Sequence, residues 1–193
     1  MTLDEYRRDF EISSNRSVSM PMAGALVWFL VAMASTQFNE RTGVLILLFC
    51  SGTMFPIAVL IAKFRGETLS SSTNPLAKLM GLCVLMVNLL WALHIPLFLY
   101  APTFVPLSLG IGLGLHWVVY SWIVQHPVGI LHAVLRTVLV LLAWYSFPEQ
   151  RLLAIGLAVV FVYCISIWQT LTRPLGVHVT TMRRSPSSPV CAR

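Results

Sequence analysis

Six stretches of predominantly apolar residues, at roughly 18–37, 43–63, 76–100, 103–124, 127–147 and 150–172, take up nearly all of this 193-residue chain. Crossing the hydrocarbon of a bilayer takes about 20 such residues in a helix. Inside that solvent every backbone N–H and C=O must be satisfied within the segment itself. The expected fold class is therefore all-α, an integral membrane bundle of six transmembrane helices. The composition agrees, with 57% hydrophobic residues, only 10% charged and a mean hydropathy of +0.79. The connections are short and carry turn-forming residues, as in "QFNERTG", "APT", "QHP" and "FPEQ", so consecutive helices should be antiparallel neighbours.

Three parts are expected: a segment 1–17, the helical domain 18–172, and a basic tail 173–193 rich in Pro, Ser and Arg that reads as disordered. In the first segment Leu3, Tyr6 and Phe10 recur at helical spacing, which suits either a short helix lying on the membrane surface or a frayed polar tail. Its mixed charges, Asp4, Glu5, Asp9 and Glu11 against Arg7, Arg8 and Arg16, are not the basic start of a cleaved signal, although Ala32-Met33-Ala34 has a cleavable pattern.

The net charge of +6 would suggest nucleic acid in a soluble domain, but here the basic residues flank apolar runs. One side of a six-helix arrangement collects Arg7, Arg8, Arg16, Lys63, Arg65, Lys78, Arg173, Arg183, Arg184 and Arg193, the other only Arg41 and Arg151. Basic flanks stay cytoplasmic, so both termini are expected in the cytoplasm and the chain in a bacterial inner membrane. The expected partners are the lipid bilayer, anionic headgroups at the cytoplasmic face and, as an option left open, a second copy of the chain. Nucleic acid is not expected, and no cofactor is. Cys50, Cys83, Cys164 and Cys191 lack the spacing of a metal site or a disulfide framework and read as small packing residues.

No Asp or Glu lies within the six runs, yet Arg136 falls in the middle of the fifth. Arg at a helix centre costs about 2.5–3.5 kcal/mol on insertion scales, and each surrounding Leu, Ile or Val returns about 0.3–0.6. The helix can therefore insert, but the charge is left unpaired. Counting about 1.5 Å per residue from the inner ends, Arg136, Asn88, His116, Tyr163 and Thr53 converge at roughly 12–15 Å depth, with His132 and Tyr120 somewhat closer to the cytoplasm. These seven are the candidate substrate-binding residues. Tyr163, Thr53, Asn88, His116, His132 or a carbonyl freed by a Pro56 kink near Gly52 are the expected partners of Arg136. Gly112, His116 and Tyr120 share one stripe of the fourth helix, expected to face the interior. Gly110 and Gly114 form a GxxxG on the other side, expected to pack a neighbouring helix. His94 has no evident partner. Metal binding by His116 and His132 lacks a third ligand, and Ser51 and Ser166 lack the context of a nucleophile.

"NPLAKL" at 74–79, "GLHWVVYSWIV" at 114–124 and the opening "LDEYRRDFE" resemble an uncharacterised bacterial family of small polytopic membrane proteins, known only as a domain of unknown function. The block His116, Tyr120 and Trp122 matches that family's aromatic-rich end of the fourth helix. The resemblance implies the topology and no activity. Three function classes stay open: a carrier or channel for a small polar or anionic solute, taken as the working reading; a non-catalytic sensor, stress or partner-subunit protein whose polar groups only fasten helices; and an intramembrane enzyme, disfavoured by the absent carboxylates.

Overall fold

The computed structural model describes residues 1–14, 17–67 and 73–173; the expected basic tail beyond 173 lies outside them. The described residues are helical and contain no strand: α1 (Leu3–Ser14), α2 (Ser19–Ala34), α3 (Glu40–Gly52), α4 (Met54–Arg65), α5 (Pro75–Leu89), α6 (Trp91–Tyr100), α7 (Phe104–Gly112), α8 (His116–Val124), α9 (Val128–Ser146) and α10 (Arg151–Thr172). Four continuous stretches are long and apolar enough to cross a membrane: Pro75–Tyr100, Phe104–Val124, Val128–Ser146 and Arg151–Thr172. Two bent pairs, α1 with α2 at 56° and α3 with α4 at 46°, raise the number to six if each counts as one span.

Local chemistry accounts for the ends. The side chain of Asn39 accepts the Thr42 N–H, and Asn74 accepts the Leu76 N–H with Pro75 at the first helical position, the arrangement that satisfies orphan donors at a helix start. Gly66 ends α4 at φ 65°, the left-handed geometry that glycine adopts without steric cost. Glu67 then reaches across to α2, where its carboxylate accepts from Ser17 Oγ (2.7 Å), Ser19 N (3.3 Å) and Ser19 Oγ, while Arg65 pairs with its other oxygen. Burial alone would raise the Glu67 carboxyl, but these hydrogen bonds and the Arg65 charge outweigh it and hold the group below its ordinary value.

The centre of the bundle is the pair α2 and α10, with α9, α7 and α3 around it. Small residues let the pair approach: a Cβ on Gly156 would stand 2.7 Å from Ala32 Cβ and 3.2 Å from the Trp28 carbonyl, and one on Gly24 would lie 2.5 Å from the Tyr163 ring. Trp28, Val31, Val44, Leu47, Leu109 and Ile155 are buried between these helices. In lipid, such close dispersion packing is what holds helices together.

The opening segment is a helix, α1, docked on the rest of the bundle rather than a frayed tail. Tyr6 and Phe10 pack against Leu76, Val124 and Val128 at the ends of α5, α8 and α9. Asn74 donates to the Tyr6 carbonyl (2.9 Å) and to Asp9 (2.7 Å), and Glu11 pairs with Arg173 at 2.9 Å. The segment therefore closes one end of the bundle.

Candidate functional site

The fourth run, Phe104–Val124, is interrupted at residues 113–115. There Gly114 N–H bonds to Ile111 O (2.9 Å) and Leu115 N–H to Gly112 O (3.2 Å), one residue tighter than an α-helix. Leu113 bonds to Leu109 O, so the carbonyl of Gly110 is passed over by the ladder. Arg136 of α9 takes it: its Nε donates to Gly110 O. The approach needs glycine at 114, where a Cβ would stand 2.9 Å from Arg136 Cδ.

Arg136 is 0% exposed. Its guanidinium carbon lies 5.2 Å from the Tyr163 ring centroid and 5.6 Å from that of Trp28, so two aromatic faces support the charge. Its two terminal nitrogens are buried with no hydrogen-bond partner among the described residues. The acceptor is thus a correction to expectation: Tyr163 supplies its ring face, and none of Thr53, Asn88, His116, His132 or the Pro56 turn supplies the bond.

His132, one turn away on α9, is 1% exposed and stacks on Trp117 with centroids 4.1 Å apart and planes at 12°. Its Nδ1 lies 2.7 Å from Ser166 Oγ, whose own hydroxyl donates to the Val162 carbonyl at 2.9 Å. Nδ1 must therefore carry the proton it donates to Ser166, which leaves Nε2 as a buried acceptor without a partner among the described residues. Below it a polar stripe runs down one face of α10. Tyr163, Ser166, Thr170 and Arg173 are all buried and recur every third or fourth residue, ending at the Glu11–Arg173 ion pair under α1.

The other expected residues are placed differently. Thr53 is exposed and its hydroxyl bonds to Cys50 O of its own helix (2.7 Å). Asn88 is exposed on α5. Tyr120 is half-buried with its ring edge-on to Trp117 at 5.5 Å. Pro56 is exposed three residues past the bend at Thr53. On the fourth run it is the Gly110 and Gly114 side that faces the interior, against Val140, Ile155 and Arg136, whereas Gly112 lies against Leu90. His116 is half-buried and lines a cavity of ≈ 370 Å³ together with Asn88, Tyr163, Ser51, Trp117 and Gly81. His94 does have a partner, with Nε2 3.2 Å from Ser108 Oγ. Among the described residues no group of three His, Cys, Asp or Glu could hold a metal ion.

Sequence reasoning missed Trp28, Trp117, Ser166 and the Gly110 carbonyl. Ser166 had a usable signal, its spacing of three from Tyr163 on one helix. The carbonyl had none, because it depends on a break that no proline or charge marks.

A family model, described as a family of unknown function (DUF7010), matches residues 3–173. No curated protein matches the chain, and no solved structure matches it.

Proposed function

The chain belongs to that family of unknown function, and we propose that it binds a small anion or polar solute at Arg136 and carries it across a bacterial inner membrane. The observation behind this reading is a fully buried guanidinium with both terminal nitrogens unpartnered. All seven Asp and Glu residues of the chain lie outside the apolar runs. A charge without a counter-charge at bilayer depth is by default the mark of a functional site, and a solute oxygen or halide satisfies the two terminal nitrogens where no group among the described residues does. The stripe Tyr163, Ser166, Thr170 and Arg173 offers polar partners between this site and the end covered by α1.

In the same proposal the bent pairs each count as one of six spans. The end carrying Arg7, Lys78 and Arg173 faces the cytoplasm, and the end carrying Arg41 and Arg151 faces out. His132 Nε2 accepts from a protonated solute.

A second reading has one specific observation in its favour. The Arg136 Nε–Gly110 bond and the two aromatic faces could serve only to fasten α7, α9, α10 and α2 in a non-catalytic sensor, stress or partner-subunit protein.

Thermal unfolding of the purified protein with chloride, nitrate, formate or bicarbonate separates the two, because a ligand at about 100 times its Kd stabilises the folded state by about 2.7 kcal/mol. The solute reading expects a rise with at least one anion that Arg136→Gln abolishes. Equal behaviour of both proteins with every anion would overturn it and leave the fastening role.

A further inference from the structure

Helices α5 and α6 form an outlying span whose inner face packs on the body through Val87, through Leu90 against Gly112 and through Trp91, with further ties near its two ends. At one end Leu76 is packed with Ile123, Val124 and Val128. At the other, His94 bonds to Ser108 and the Arg41 guanidinium lies 5.4 Å over the Phe98 ring. Between these ties the ≈ 370 Å³ cavity separates the middle of α5 from the α3–α4 bend, a volume within the roughly 300–1,000 Å³ of small-molecule pockets. Gly52 and Gly81 line it, and neither has an atom within 4 Å of where a Cβ would stand. Phe55 and Leu85 on its rim are 61% and 53% exposed, so the opening faces the surface turned to lipid.

Asn88 stands in this window. It is thirteen residues after Pro75 and twelve before Tyr100, so about 20 Å from either end of the span at 1.5 Å per residue. Its side-chain amide is exposed there and makes no hydrogen bond within the described residues. An amide left in hydrocarbon costs several kcal/mol, and at that depth its partner has to come from something dissolved in the bilayer. We propose that the window is a binding site for a lipophilic carbonyl compound, whose oxygen accepts a hydrogen bond from the Asn88 amide beside His116 while its apolar part lies over Gly52 and Gly81. A plain acyl chain fills the apolar lining but offers Asn88 nothing. Arg136 does not line the cavity, and Tyr163, whose ring faces its guanidinium, stands between the two.

The test is photolabelling of the purified protein in lipid nanodiscs with 4-decylbenzophenone, whose ketone is both the proposed hydrogen-bond acceptor and the reactive group. Label is expected on Met54, Leu85 and their neighbours, competed by a decyl-substituted benzoquinone and not by decylbenzene. Gly81→Leu, whose Cβ has open space around it among the described residues, should reduce it at least tenfold by filling the window. Asn88→Leu should reduce it about fivefold while leaving any anion-dependent rise in unfolding temperature unchanged, so that failure here and failure of anion binding are told apart. Label spread over the outer helix faces, or competed equally by decylbenzene, would overturn the proposal in favour of ordinary lipid. Efficient crosslinking of Asn88→Cys between two copies would overturn it in favour of a dimer interface.

Discussion

At the scale of single residues, the glycines make the most contrasting predictions. A Cβ at Gly129 would stand 1.9 Å from the Trp117 carbonyl oxygen, backbone against backbone, whereas one at Gly52 meets nothing within 4 Å. Gly129→Ala should force α8 from α9 and cost at least about 1–3 kcal/mol, while Gly52→Ala should unfold at the temperature of the parent or slightly above. Thermal melts of the two variants check both. Ser121 is similarly informative: its hydroxyl accepts from the Gly129 and Ile130 N–H groups, both at 3.1 Å, and donates to the His126 carbonyl. Ser121→Ala strips the start of α9 of its cap and should cost about 1–2 kcal/mol. Glu67 predicts a pH effect. Its folded value lies below the 4.5 of the free group, so its contribution is fully present above about that pH and is lost as pH falls through the lower folded value. Glu67→Gln should flatten that part of the stability curve, read from denaturation midpoints between neutral and acid pH; an unchanged slope would remove the role given to Ser17 and Ser19. Arg136 itself was legible in the sequence, because an arginine amid ten Leu, Ile and Val residues stands out. Its partner was not, since a carbonyl freed by 3₁₀ bonding leaves no residue-type signal.

At the scale of elements, hydropathy located the apolar runs but not their internal breaks. Pro56 in "CSGTMFPIAV" marked the α3–α4 bend, because proline cannot donate to the preceding turn. The α7–α8 interruption falls among glycines whose spacing suggested only close packing. The short helix at the start was legible from Leu3, Tyr6 and Phe10, yet its docking depends on Asn74 and Arg173, far away in the chain. That docking rests on an ion pair whose side chains are 12% exposed at Glu11 and 3% at Arg173. Removing one partner of a buried pair leaves an uncompensated charge, typically worth about 3–5 kcal/mol. Glu11→Ala should therefore release α1 while the rest of the bundle stays folded. Arg7, which packs over Trp122 in the parent, should then become readily cleaved by trypsin. The double change Glu11→Ala with Arg173→Met should restore much of the protection. Equal cleavage of parent and Glu11→Ala would show that α1 does not depend on this pair.

At the scale of the whole molecule, a line of buried polar groups runs through the bundle from Arg136 past His132 and Ser166 to Arg173. The all-helical class and the apolar spans followed from composition and length alone, since lipid permits few other solutions to backbone hydrogen bonding. Which of the midplane residues meet could not follow, because depth along a helix says nothing of its rotation: Thr53 and Asn88 share a level with Arg136 and face elsewhere. The account stands or falls on whether the free nitrogens of Arg136 hold an anion inside the bundle, beside Trp28 at 5.6 Å. The most direct measurement is iodide quenching of tryptophan fluorescence in the purified protein, compared with Arg136→Gln at equal ionic strength. A saturable component in the parent that is absent from the variant is the expected result. Linear quenching of equal slope in both would contradict it.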